Sequence, residues 1–183
     1  VKLALDQLCH GRMPDLVIGG INHGDNASVN THYSGTMGVA MEGCMKKIPS
    51  LAFSLCDHSD DADFSPLNHL VRLIVQKILK EGLPKGVCLN VNFPLAHKFE
   101  GVKICRMARG TWGNEIVKQH HPRGYDYFWM VGEYTNNEPD AADTDNTTAK
   151  VVTLAQPKLN VLINMGHSKD GLPINNTDGT SDT

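Results

Sequence analysis

At 183 residues the chain is long enough for one domain with a sizeable core. Its residues are 40% apolar and 20% charged, an ordinary globular composition, and its formal net charge is −3. That balance argues against a DNA or RNA duplex and against an anionic membrane as partner, since both require a basic face. No apolar run approaches the ~20 residues of a membrane span.

The opening VKLALDQLCHGR carries Val1, Leu5, Leu8 and Cys9 at helical spacing with no N-cap before them. It reads as the middle of an amphipathic helix, so the expectation is a chain that starts inside a longer protein. DLVIGG follows as a short apolar strand. After the loop of residues 22–34, a helix is predicted over 35–47, with Met37, Ala40, Met41 and Cys44 as its apolar stripe and Lys46 and Lys47 at its negative end. SLAFSL is a second buried strand. The acidic DHSDDADFSP leads to a helix with Ser65 as N-cap and Pro66 at its first position. Leu67, Leu70, Val71, Ile74 and Ile78 keep a 3.6-residue period up to Gly82, and GVCLNVNFP is a third strand.

Strands alternating with helices imply a parallel sheet covered on its faces. The second half changes character. GVKICRMARG, YFWMVGEY and AKVVTLAQPKLNVLIN read as strands with no helix between them, hence an antiparallel or hairpin extension. The expected architecture is therefore α/β, a Rossmann-like three-layer parallel sheet with a hairpin C-terminal extension, in a single domain over 1–167. The polar, Gly- and Asn-rich residues 168–183 are expected to be a disordered tail. Cys9, Cys44, Cys56, Cys88 and Cys105 contain no C-x-x-C pair and lie in or beside apolar stretches, which points to reduced thiols and a cytoplasmic location.

The loop of residues 22–34 is the candidate site. Its 13 residues hold three asparagines, two histidines and one aspartate, with no lysine or arginine. Loops of this length in compact domains are often functional. This one follows a strand, where open α/β sheets bind ligands. Ser34, Gly35 and Thr36 open the next helix, whose free N–H groups and positive dipole end attract an anion, and the hydroxyls of Ser34 and Thr36 add donors for a phosphate. Gly35 and Gly38 have no β-carbon to fend off a ligand or a neighbour. The asparagine amides offer neutral oxygens for Mg²⁺ or Mn²⁺, but a divalent ion needs carboxylates and the loop has only Asp25. On composition alone, capping and loop formation explain the same residues equally well.

PDLVIGGINHG, YSGTMGVAMEG and LNVNFP, in this order, closely resemble the SurE family of metal-dependent 5′/3′-nucleotidases. ARGTW, HPRGYDYFWMVGEY and DTD extend the likeness to about Asp145. The resemblance implies a phosphoric monoester hydrolase, 5′-nucleotidase or acid-phosphatase-like, acting on nucleoside monophosphates with Mg²⁺ or Mn²⁺. It implies that Asn22 is a metal ligand, that Asn26 lies near the substrate phosphate, and that Ser34, Gly35 and Thr36 bind phosphate. It also implies a homodimer or homotetramer for the intact protein. Family members open with a strand ending in an Asp-Asp pair that supplies the main carboxylate ligands, and this chain starts after the matching point, so no catalytic nucleophile or base is nameable. The family's C-terminal Gly-Tyr-x-Ser-x-Thr-Pro strand has no match after Asp145. The rival expectation is a catalytically incomplete fragment that only binds phosphate or nucleotide.

Other candidates have blander readings. DHSDDADFS lacks the glycine and terminal glutamate of a calcium loop. His23, His32, His120 and His121 fit solvent-facing positions, Arg106 and Arg109 fit a solvated strand edge, and Trp112, Tyr125, Tyr127 and Trp129 fit core packing.

Overall fold

The computed structural model describes residues 1–96, 99 and 101–145, and two further strands at 151–155 and 160–164 as backbone. The segment expected to be a disordered tail lies outside the described residues. Strands β1 (Val17–His23), β2 (Ser50–Leu55) and β3 (Cys88–Phe93) pair parallel in that order. Helix α2 (Gly35–Met45), preceded by the one-turn α1 (Asn30–Tyr33), links β1 to β2, and α3 (Asn68–Glu81) links β2 to β3. β4 (Lys103–Cys105), β9 (Val151–Ala155) and β10 (Asn160–Asn164) extend the sheet to six strands in the order β1-β2-β3-β10-β9-β4. Two antiparallel pairs project from it: β5 (Gly110–Gly113) with β8 (Glu133–Asn136), and β6 (Ile116–His121) with β7 (Tyr125–Met130). The α/β architecture with a hairpin extension is therefore what the chain forms.

Both central strands are buried along their whole length, yet their side chains alternate. Leu51, Phe53, Leu55, Leu89, Val91 and Phe93 form the main core with Leu67, Leu70 and Ile78 of the α3 side. The intervening residues Ser50, Ala52, Ser54, Cys88, Asn90 and Asn92 are small or polar, and Ala52 and Cys88 meet Met37 and Ala40 of α2. Small residues let α2 sit close. A Cβ on Gly43 would overlap Ser50 Oγ and lie 2.8 Å from Val17 Cβ. We therefore expect Gly43→Ala to destabilise the chain by about 1–3 kcal/mol through overpacking, despite its better helix propensity. Urea unfolding of the variant checks this, and an unchanged midpoint would refute it.

Several local readings need correction. The opening segment is a five-residue π-helical turn, Ala4–Leu8, in which Leu5 is buried but Leu8 is 71% exposed. α2 ends at Met45, with Lys46 as C-cap and Lys47 in the left-handed region, so the lysines lie beyond its last turn. Ser65 does not cap α3; it starts a 3-10 turn, and Asp63 accepts from both its N–H and its hydroxyl. YFWMVGEY is two strands, broken at Gly132, whose φ of 155° turns the chain from β7 into β8. Nor are the aromatics all core: Tyr125 and Trp129 are more than half exposed on the projecting β6–β7 hairpin.

Candidate phosphate-binding site

The site begins with a bulge. β1 and β2 are in register at Gly19↔Ala52 and again at Asn22↔Ser54, with one extra residue in β1 between them. Gly20 absorbs it at φ 103°, so close to β2 that a Cβ would overlap the Phe53 carbonyl oxygen. The bulge leaves Asn22 at the carboxyl end of β1, half-buried. Its amide Nδ2 donates to the Gly24 carbonyl at 2.9 Å, and its Oδ1 accepts from the Thr36 hydroxyl at 3.2 Å. One residue from the strand end is thus tied to one from the helix start.

At that helix start Ser34 is the N-cap, accepting from the Met37 N–H at 3.0 Å. No hydrogen bond among the described residues uses the N–H of Gly35 or Thr36, two of the donors a helix leaves unpaired at its beginning. Gly35 is exposed, and a Cβ on it or on Gly38 would meet open space, so no packed neighbour requires either glycine. Ser34, Gly35, Thr36 and Asn22 therefore lie together at the carboxyl end of β1, with two amides open to an anion.

Asn26 sits differently. It is 4% exposed, and its side-chain Nδ2 donates to Ser54 Oγ at 2.7 Å. Its backbone N–H donates to Asn92 Oδ1 at 2.8 Å and its carbonyl accepts from Asn90 Nδ2 at 2.8 Å. Asn92 in turn donates to Asn90 Oδ1 at 3.3 Å. Asn26 is the anchor that seats the loop on the polar half-face of β2 and β3. Ser54, Asn90 and Asn92 were assigned no role from sequence. Their signal was present nonetheless, since asparagine alternating with Leu, Val and Phe in a buried strand needs a polar partner.

The loop is also held from outside. His23 Nε2 pairs with the Ser59 carbonyl at 2.5 Å, and His58 lies over Gly24, 3.7 Å from Asp25 Oδ1. His32 is exposed on α1 and His120 pairs with Asp126 at 2.9 Å on the hairpin. Arg106 binds Glu138 and Asp143, each at 2.9 Å, rather than a free surface. These pairings hold the Glu138 carboxyl down to about 2, chiefly through the Arg106 hydrogen bond. Among the described residues no group of three or more His, Cys, Asp or Glu stands ready to hold a metal ion, the acidic loop included. All five cysteines are free thiols, and burial pushes Cys88 and Cys105 up to about 12. No described helix is long and apolar enough to cross a membrane.

Fold and site together define an α/β protein of Rossmann type, with an anion-receptive helix start at the carboxyl ends of its parallel strands. The chain belongs to the SurE family: the model of Survival protein SurE matches residues 1–114. The 5′-nucleotidase SurE of Phocaeicola vulgatus is 56% identical over 146 residues, covering 80% of this chain and 56% of that protein. That of Porphyromonas gingivalis is 38% identical over 161 residues, covering 88% and 62%. The crystal structure of SurE from Aquifex aeolicus superposes with a TM-score of 0.65 at 30% identity, covering 85% of this chain and 64% of that one. The chain thus spans little more than half the length of the curated relatives it matches.

Proposed function

We propose that this chain carries the phosphate-binding half of a nucleoside-monophosphate phosphohydrolase, a SurE-type 5′/3′-nucleotidase. The observation that carries the reading is the pair of open amides at Gly35 and Thr36, joined through the Thr36 hydroxyl to Asn22. The relatives' name, 5′-nucleotidase SurE, supports the substrate class.

In this reading the phosphate oxygens take hydrogen bonds from the Gly35 and Thr36 amides, and the positive end of α2 stabilises the added negative charge. Ser34 keeps the helix start open by engaging Met37 itself. Asn26 holds the loop on the sheet so that the cradle keeps its shape. Mg²⁺ or Mn²⁺ belongs to the proposal through Asn22, whose Oδ1 would offer one neutral oxygen ligand. When bound, such an ion supplies Lewis-acid activation of a phosphoryl oxygen. The described residues do not complete its shell, and no step of the reaction is assigned to it. A cytoplasmic location and a homodimer or homotetramer complete the proposal.

The experiment is phosphate release from nucleoside monophosphates with Mn²⁺ or Mg²⁺, against an EDTA control, with the P. vulgatus relative assayed in parallel. Metal-dependent release that falls at least about tenfold in Asn22→Ala supports the reading. A specific observation favours the rival, a fragment that binds phosphate without turnover: among the described residues no group of three or more His, Cys, Asp or Glu gathers to hold a metal ion. Phosphate binding indifferent to EDTA, with no release, would establish that rival. Absence of both would overturn the two together.

A further inference from the structure

Three segments distant in sequence converge on one residue of the candidate loop. Ser28 is 2% exposed and has φ 52°, a left-handed conformation that a non-glycine residue holds only where its surroundings enforce it. Its N–H donates to Asp145 Oδ2 at 2.6 Å. Its hydroxyl donates to the Ala108 carbonyl at 2.9 Å and accepts from the Tyr134 hydroxyl at 2.6 Å. Asp145 closes the figure, because its other oxygen, Oδ1, accepts from the Ala108 N–H at 2.6 Å. Asp145 is 5% exposed.

The clasp itself is rigidly mounted. The Asp145 N–H donates to the Arg106 carbonyl at 3.1 Å, and Arg106 bridges to the fully buried Thr144. Two residues from Ser28, Asn30 Oδ1 accepts from the Trp112 indole at 2.8 Å. Gly110 makes the approach possible, since a Cβ there would overlap the Tyr134 hydroxyl. The side-chain ties that hold Ser28 and Asn30 thus come from the 106–145 part of the chain, away from the parallel sheet.

We propose that Asp145 is a positioning residue: its carboxylate clasps Ser28 to Ala108 and so sets the spacing between Asn22 and the Ser34–Thr36 phosphate cradle. Ser28 stands six residues from Asn22 and six from Ser34, midway along the loop. Without the clasp the loop samples other conformations, and only a fraction of molecules present Asn22 and the cradle together. Apparent affinity then falls by that fraction, while a molecule that has bound substrate is unchanged. The inference rests on the phosphohydrolase reading of the same site.

The test is Asp145→Asn, which keeps the shape but replaces one acceptor oxygen by an NH₂ facing a backbone N–H. Three quantities are measured on this chain and its variant: hydrogen exchange of the backbone amides, affinity for inorganic phosphate, and KM and kcat for a nucleoside monophosphate wherever the wild type turns over. The expected result has three parts. Amides of residues 26–34 exchange at least tenfold faster while those of α3 keep their protection; phosphate affinity falls at least fivefold; and where turnover is measured KM rises in step with kcat held within twofold. A tie that serves stability alone behaves otherwise. It accelerates exchange across the whole chain or lowers kcat through loss of folded enzyme, with KM and phosphate affinity unchanged, and that pattern overturns the proposal. Failure of the underlying reading looks different again, because then the wild type itself neither binds phosphate nor releases it.

Discussion

Phe93→Ala is expected to lower the unfolding free energy by about 3–5 kcal/mol, the range for emptying a buried aromatic site. Phe93 is fully buried at the end of β3. Its ring stacks on Phe53 at 6.0 Å and meets Phe99 edge-on at 5.9 Å, so alanine removes the shared member of a three-ring cluster. Phe53 belongs to a paired strand that cannot collapse into the space without breaking the β2–β3 register at Leu55↔Phe93. Urea unfolding should show the loss as a lower midpoint with an unchanged slope. Phe128→Ala is the contrasting case. Phe128 is 63% exposed on the β6–β7 hairpin, and its removal should move stability by less than about 0.5 kcal/mol. Equal effects at the two positions would mean that the hairpin, and not the face under α3, holds the core.

The second large effect concerns pH. Burial pushes the Asp145 carboxyl up to about 6 and outweighs the backbone N–H groups of Ala108 and Ser28, which favour its charged form. Between the ordinary value of 3.8 and about 6, the folded chain keeps a proton that the unfolded chain releases. Stability from this group is therefore full below that window, declines as pH rises through it, and is level above it. The decline amounts to about 3 kcal/mol, at 1.36 kcal/mol per pH unit. Carboxylates nearer the surface act in the opposite sense. Hydrogen bonds hold Asp143 and Glu138 (to Arg106), Asp126 (to His120) and Asp57 (to Ser59) below their usual range, so their contribution is lost as pH falls. The wild-type curve sums both, and the difference between wild type and Asp145→Asn isolates the buried group. That difference should fall by about 3 kcal/mol from about pH 2 to about pH 8. A difference independent of pH would show that folding leaves the Asp145 carboxyl at its ordinary value.

These two effects belong to the two parts of the molecule that the loop of residues 22–34 joins. The sheet supports it from within through Ser54, Asn90 and Asn92. The 106–145 part grips it from outside through Asp145, Tyr134 and Trp112. A phosphate cradle made of bare amides needs such support on both sides, because its donors are correctly aimed only while the backbone is held.

What the sequence determined by itself was local. SLAFSL and GVCLNVNFP are strands because their apolar and polar residues alternate under full burial, and residues 68–81 form a helix because Leu70, Val71, Ile74 and Ile78 recur at its period. The anion-receptive start of α2 was equally legible, since a serine cap, a glycine and a threonine after a strand and loop define it within three residues. The breaks were less legible. Gly132 and Glu133 end the apolar run that starts at Tyr127, and whether a glycine turns the chain depends on which strands it must join. The bulge at Gly20 likewise follows from the approach of Phe53, not from its neighbours in sequence. The tertiary structure alone decided the clasp. Ser28, Ala108, Tyr134 and Asp145 are up to 117 residues apart, and no periodicity links them. A lone buried carboxylate is specified by the two N–H groups that folding brings to it, and those carry no signature in the amino-acid order.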